Sequence, residues 1–229
     1  MILHSKGRGM ADYSKLDHWS IKAQKEGYPA RSVYKLKEMD EKFGLVKGGR
    51  PLFRVLDLGA APGSWSLYVL RKLFTAKGGG FLPVPETASV SLVSIDLFPL
   101  SHQHDHGLFD RPEFFFIQGD FTLSGIREEI HARGPYNLVI SDAAPATTGN
   151  RSVDTLRSLN LAETALGYAE TALVKGGNCV IKVFQGGDTG ALLKTIRGLF
   201  DNAKSFKPQA SRAESFETYY LGLGKKQAK

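Results

Sequence analysis

Four aspartates close short apolar runs: Asp57 in VLDLG, Asp96 in SIDLFP, Asp120 in IQGDF and Asp142 in ISDAAP. After the first run comes a loop of small residues, DLGAAPGSW, whose Gly59 and Gly63 let backbone approach a ligand closely. The loop lacks the third glycine of G-x-G-x-x-G and any G-K-[ST], and Pro62 removes one backbone donor. A diphosphate is therefore a poor fit, which also argues against an NAD-dependent oxidoreductase. A carboxylate after the second run can accept from two ribose hydroxyls, and one after the third can meet the exocyclic amine of adenine. Together these groups describe a nucleoside with no phosphate to neutralise, and S-adenosylmethionine is such a molecule. Any one of the acids could instead cap a helix. Four at successive strand ends favour a site.

The elements that must position these residues alternate in period. FRVLDL (53–58), SLVSIDL (91–97), EFFFIQG (113–119), YNLVISD (136–142) and NCVIKVF (178–184) have the length and composition of buried strands. Helical spacing joins Trp65, Val69 and Leu73, then Leu159, Ala162, Leu166 and Ala169, then Leu192, Leu193, Ile196, Leu199 and Phe200. This alternation predicts an α/β fold with a doubly wound, mostly parallel sheet and helices on both faces. Ligands then bind at the carboxyl ends of the strands, where the four acids lie. A further run, TYYLGLG (218–224), follows the last helix through a long loop, and its direction is not legible. Ahead of the first strand, Val33, Leu36, Met39 and Phe43 share a helical face, with Gly44 as its stop. Segments 75–89 and 99–112, rich in Gly, Pro and polar residues, read as surface insertions.

At 229 residues the chain suits one domain. The expected organisation is a basic arm over 1–30, one domain over 31–224 and a basic tail over 225–229. Residues 1–50 carry 11 Lys and Arg against 6 acids, and residues 204–229 carry 6 against 2, while the middle is slightly acidic. Basic ends on such a body suit a polyanionic partner, although ordinary solvated tails would look the same. A single cysteine, Cys179, fits a reducing compartment. With no apolar run of about 20 residues and no signal-type N-terminus, the expected location is the cytoplasm, with no membrane partner.

Seven stretches in this order, ARSVYKLKEMD, VLDLGAAPGSWS, DLFPL, QGDF, SDAAP, VIKVFQG and SRAESFETYYLGLG, resemble the FtsJ/RrmJ family of ribose 2′-O-methyltransferases over roughly residues 20 to 224. The resemblance implies a Rossmann-like methyltransferase fold, S-adenosylmethionine as methyl donor and structured RNA as acceptor. By likeness of motif, the donor site falls on Gly59, Gly63, Ser64, Trp65, Asp96, Asp120, Phe121 and Asp142, and the catalytic set on Lys35, Asp142, Lys182 and Glu217. Arg31 and Arg212, each near a catalytic position, are the phosphate-binding candidates. Ser64 stands where the family often has a second glycine, and Ala146 where it often has a polar residue.

The chemistry asks for such a set. A ribose hydroxyl is a poor nucleophile that must be aligned with the methyl and relieved of its proton. An ordinary lysine, with a pKa of about 10.4, needs a neighbouring cation and burial before it can act as a base. Lys182 sits in a core-type strand, where an uncompensated lysine is costly. It is assigned as the base or steering group, with Asp142 orienting it, Lys35 beside it and Glu217 holding Lys35. Two buried salt bridges that merely support the fold are the plain alternative.

The expected substrate is large-subunit ribosomal RNA, methylated on a uridine, with the enzyme acting as a monomer. A transfer-RNA ribose methyltransferase and a catalytically silent RNA-binding assembly factor are the alternatives. No metal is expected, although alternate His102, His104 and His106 could share one face of an extended segment. Trp19 and Tyr28 could equally stack on bases or cover the core edge.

Overall fold

A computed structural model describes residues 17–47, 53–76, 80–83, 91–186, 189–212 and 214–227. Seven strands form one sheet in the order β3-β2-β1-β4-β5-β7-β6. β1 (Val55–Leu58), β2 (Leu92–Asp96), β3 (Phe114–Gln118), β4 (Tyr136–Ser141) and β5 (Leu173–Phe184) are parallel neighbours. The chain winds outward from β1 through β2 to β3, then returns to the other side of β1 with β4. Such a reversal opens a crevice at the carboxyl ends of β1 and β4.

The central strands are buried on both faces, which is why they read as unbroken apolar runs. Val55, Leu138 and Val180 face a core shared with α2 (Val33–Phe43) and α3 (Ser64–Phe74). Leu56, Leu58, Val139 and Ile181 face the opposite core, under α5 (Arg151–Ala172) and α6 (Thr189–Leu199). The helix expected over 33–43 forms and stops at Gly44, whose φ of 62° is the left-handed value such a stop requires.

Three elements went unread in the sequence. α1 (His18–Lys25) lies within the expected basic arm; Asp17 caps it, and its Ala23 is buried together with Tyr28. α4 (Ser124–Ala132) buries only Ile130, too little to register as a periodic face. β6 (Phe200–Phe206, FDNAKSF) is a polar edge strand, and the structure moves Phe200 from the helical face onto it. β7 (Glu217–Lys225) then inserts antiparallel between β5 and β6. The insertion at 99–112 is not mere surface: it makes two 3-10 turns and buries Leu108 and Phe109 in the core. Of 75–89, residues 77–79 and 84–89 lie outside the described residues. Among the described residues no helix is long and apolar enough to cross a membrane.

Candidate active site

A cleft of about 740 Å³ opens at the crevice, lined by Gly59, Asp96, Asp120, Phe121 and Asp142 among others. Its volume suits a cofactor-sized ligand. Three carboxylates and one cation, Arg157, face it, a charge pattern suited to a cationic ligand without phosphate. Asp96 accepts from the amides of Ala61 and Phe98, both at 2.9 Å, so it also sets the shape of the glycine loop. Asp120 accepts from the amide and hydroxyl of Thr122 at 2.9 and 2.7 Å.

Gly59 cannot be replaced without cost. Its φ is 79°, and a Cβ would fall 2.6 Å from the Ala143 Cα, on backbone that cannot swing aside. Gly59→Ala is expected to weaken donor binding at least about tenfold and to destabilise the fold by roughly 2 kcal/mol. Gly149, at φ 82° in open space, is the control that isolates backbone strain. Calorimetric titration with S-adenosylmethionine and thermal unfolding of both variants check this; equal behaviour would show that the contact with Ala143 is unimportant.

Gly63, Ser64 and Trp65 do not line the cleft with their side chains. A Cβ on Gly63 would meet the Phe109 ring at 2.9 Å. The buried Ser64 hydroxyl accepts from the Ala30 amide at 2.8 Å and can donate to the Ala30 carbonyl at 3.2 Å. Trp65 Nε1 donates to the Ser32 carbonyl at 2.8 Å. Serine in place of a second glycine thus ties the start of α3 to the linker that launches α2, the helix carrying Lys35.

The four expected catalytic residues form two linked pairs. Lys182 Nζ, on β5, lies 3.0 Å from Asp142 Oδ1 and donates to the Asp142 carbonyl at 2.5 Å. Lys35 Nζ, on α2, lies 2.5 Å from Glu217 Oε1, at the start of β7. Strand register explains the arrangement, because Lys182 stands opposite Tyr219 and Phe184 opposite Glu217.

Tyr219 is the residue that sequence reasoning missed. Its hydroxyl donates to Asp142 Oδ1 at 2.6 Å, and its ring centre is 5.9 Å from Lys35 Nζ, so it bridges the two pairs. The signal was present: two residues beyond Glu217 on one strand is the same face. Burial would push the Asp142 carboxyl up; Lys182 first, then Lys35 and the Tyr219 hydroxyl, outweigh it and hold it below the ordinary carboxylate range. Burial and the neighbouring carboxylates raise the Tyr219 phenol well above its usual value, so it serves as a donor.

The two arginines fare differently. Arg31 is pinned internally: it pairs with Asp17 and donates to the Ala210 carbonyl at 2.5 Å, with little of its side chain exposed. It fixes the linker rather than presenting a free cation. Arg212 is exposed. Tyr28 is buried with the Arg71 guanidinium 4.4 Å over its ring, and Trp19 packs on Tyr34 at 5.0 Å, so both cover the core edge. The histidine segment is coiled rather than extended. His102 pairs with Asp105 at 2.8 Å, and with Asp110 these side chains have ligand atoms within 4.8 Å of one another.

A parallel sheet with an antiparallel seventh strand, a glycine loop and acids at successive strand ends define a methyltransferase of the Rossmann-like class. Residues 28–225 match the FtsJ-like methyltransferase family, and the chain belongs to that family. It is 50% identical over 211 residues to ribosomal RNA large subunit methyltransferase E of Treponema denticola, covering 92% of this chain and 96% of that one. The proteins of the same name from Oleidesulfovibrio alaskensis and Borreliella afzelii are 45% and 44% identical, over 91% and 90% of this chain and 91% and 96% of theirs. In fold it is similar to a crystal structure described as a ribosomal RNA methyltransferase from Plasmodium falciparum, with a TM-score of 0.66 and 24% identity over 88% of this chain and 100% of that chain. The fibrillarin/Nop5p complex gives a TM-score of 0.52 at 17% identity, over 84% of this chain and 82% of that chain.

Proposed function

We propose that this methyltransferase transfers a methyl group from S-adenosylmethionine to a ribose 2′-hydroxyl, that of a uridine in large-subunit ribosomal RNA, as a monomer in the cytoplasm. The observation that carries the reading is Asp142, which lines the donor cleft and at the same time holds Lys182. The donor's place and the proton acceptor's place therefore meet at one residue.

Asp96, Asp120 and the Gly59 loop would hold the donor, with any part played by Gly63, Ser64 and Trp65 falling to the backbone. When bound, S-adenosylmethionine supplies an electrophilic methyl on a sulfonium centre. An ammonium has three donors. The carboxylate and the carbonyl of Asp142 occupy two of the positions around Lys182 Nζ. To act as base, Lys182 first gives one ammonium proton to solvent; its two remaining hydrogens still satisfy Asp142, and the lone pair takes the 2′-hydroxyl proton. Lys35, held by Glu217, keeps positive charge beside this centre, where it steadies the ionised Asp142 and attracts the RNA phosphate. Arg212 offers a further phosphate contact. The likeness in sequence to proteins named for ribosomal RNA supports this substrate over transfer RNA.

Methyl transfer from labelled S-adenosylmethionine to transfer RNA, naked large-subunit RNA and isolated large subunits tests the reading. The modified ribose is mapped by the alkali resistance of the adjoining phosphodiester. Label in ribosomal RNA or subunits is expected. Label confined to transfer RNA would replace the substrate, and donor binding without transfer to any of the three would favour a silent RNA-binding protein.

A further inference from the structure

Beside the two lysine pairs lies a cluster that the donor and proton chemistry leave unused. Phe216 directly precedes Glu217, and its ring meets that of Phe184 edge-on at 4.7 Å. Phe184 ends β5 two residues beyond Lys182 and is anchored to α5, its amide donating to the Ser158 hydroxyl at 3.0 Å. The Gln185 amide donates to the Phe216 carbonyl at 2.7 Å and fixes the second ring. Over that ring, 5.2 Å from its centre, stands the guanidinium of Arg151, the first residue of α5.

Arg151 is exposed, and among the described residues no carboxylate pairs with it. Arg31, by contrast, spends its donors on Asp17 and Ala210. A guanidinium resting on an aromatic face is held in place without using its donors, which stay available for a bidentate phosphate contact. This support stands at the same end of the sheet as Lys182 and Glu217, with Phe184 two residues beyond the one and Phe216 directly before the other.

We propose that Arg151, carried on the Phe216–Phe184 pair, is an RNA-positioning residue that takes a backbone phosphate of a nucleotide next to the target ribose. The proposal rests on the ribose methyltransferase reading. Phe184 and Phe216 orient Arg151 and do not themselves need to touch RNA.

The test uses the full chain and large ribosomal subunits lacking the methyl group, with wild type, Arg151→Ala and Phe216→Leu compared. Arg151→Ala is expected to raise KM for the subunits by about 5- to 50-fold with a far smaller change in kcat. It should also flatten the slope of log KM against log salt by about one unit. Phe216→Leu keeps apolar bulk but loses the ring face, and should reproduce part of the KM rise. Affinity for S-adenosylmethionine should stay unchanged in both, which also reports an intact fold. A KM within twofold of wild type, or a raised KM with an unaltered salt slope, would overturn the phosphate assignment. Failure of the wild type itself to methylate the subunits would sink the underlying substrate reading, and the proposal with it.

Discussion

Lys182→Ala is expected to slow methyl transfer by about 10²- to 10⁴-fold, the range that loss of a positioned acid–base group usually costs. The substitution removes the only side chain bonded to both the carboxylate and the carbonyl of Asp142 among the described residues. Asp142 would keep its hydrogen bond from Tyr219 and the more distant charge of Lys35. Its carboxyl should therefore move up, since burial, which opposes its charge, is then less well offset. Donor binding should survive within a few-fold, because Asp96, Asp120 and the Gly59 loop are untouched. Single-turnover transfer of labelled methyl, with calorimetry for S-adenosylmethionine, separates the two effects. Turnover near wild type at saturating donor would mean that Lys182 is neither base nor steering group.

Asp57 should make the protein less stable as pH rises from 5 to 8, by about 3 kcal/mol. The side chain is completely buried in β1; Oδ2 accepts from the Ser66 hydroxyl at 2.7 Å, and among the described residues Oδ1 has no hydrogen-bond partner. Burial pushes its carboxyl up to about 7, against the lowering effect of the Ser66 bond, and the charges of Asp142 and Asp96 add to the rise. The folded value therefore lies above the unfolded one of 3.8. Between them the folded state binds the extra proton, so this stabilisation is fully present below the unfolded value and is lost as pH climbs through about 7. Asp142 has the opposite sign, with its contribution present above the unfolded value and lost only in acid. Asp57→Asn keeps an acceptor for Ser66 and removes the titration. The difference in denaturant-unfolding stability between wild type and variant, followed from pH 5 to 8, cancels all other groups. Parallel curves would show that Asp57 does not titrate in this window.

The fold was legible wherever burial writes a pattern along the chain. Strands covered on both faces must be apolar throughout, so β1 to β5 stand out, and the glycine at the end of α2 marks its stop. Elements that bury little leave no such mark. α4 hides one residue, and the polar edge strand β6 reads as loop. The placement of β7 between β5 and β6 depends on which edges pair, a choice made by contacts distant in sequence.

The site divides along the same line. Strand-end acids and a glycine loop pointed from residue types alone to a cleft at the carboxyl ends of β1 and β4, because close backbone approach calls for glycine there. Resemblance of motif named four candidate catalytic residues, but only the tertiary structure paired Lys182 with Asp142 and Lys35 with Glu217 and set Tyr219 between them. It also bonded the Ser64 and Trp65 side chains to the linker before α2, joined Arg31 to Asp17 and the Ala210 carbonyl, and set Arg151 over Phe216. The physical reason is common to all of these. A side chain's type states which bonds it can make, whereas the partner it finds depends on which distant segments the sheet order and register bring within about 3 Å.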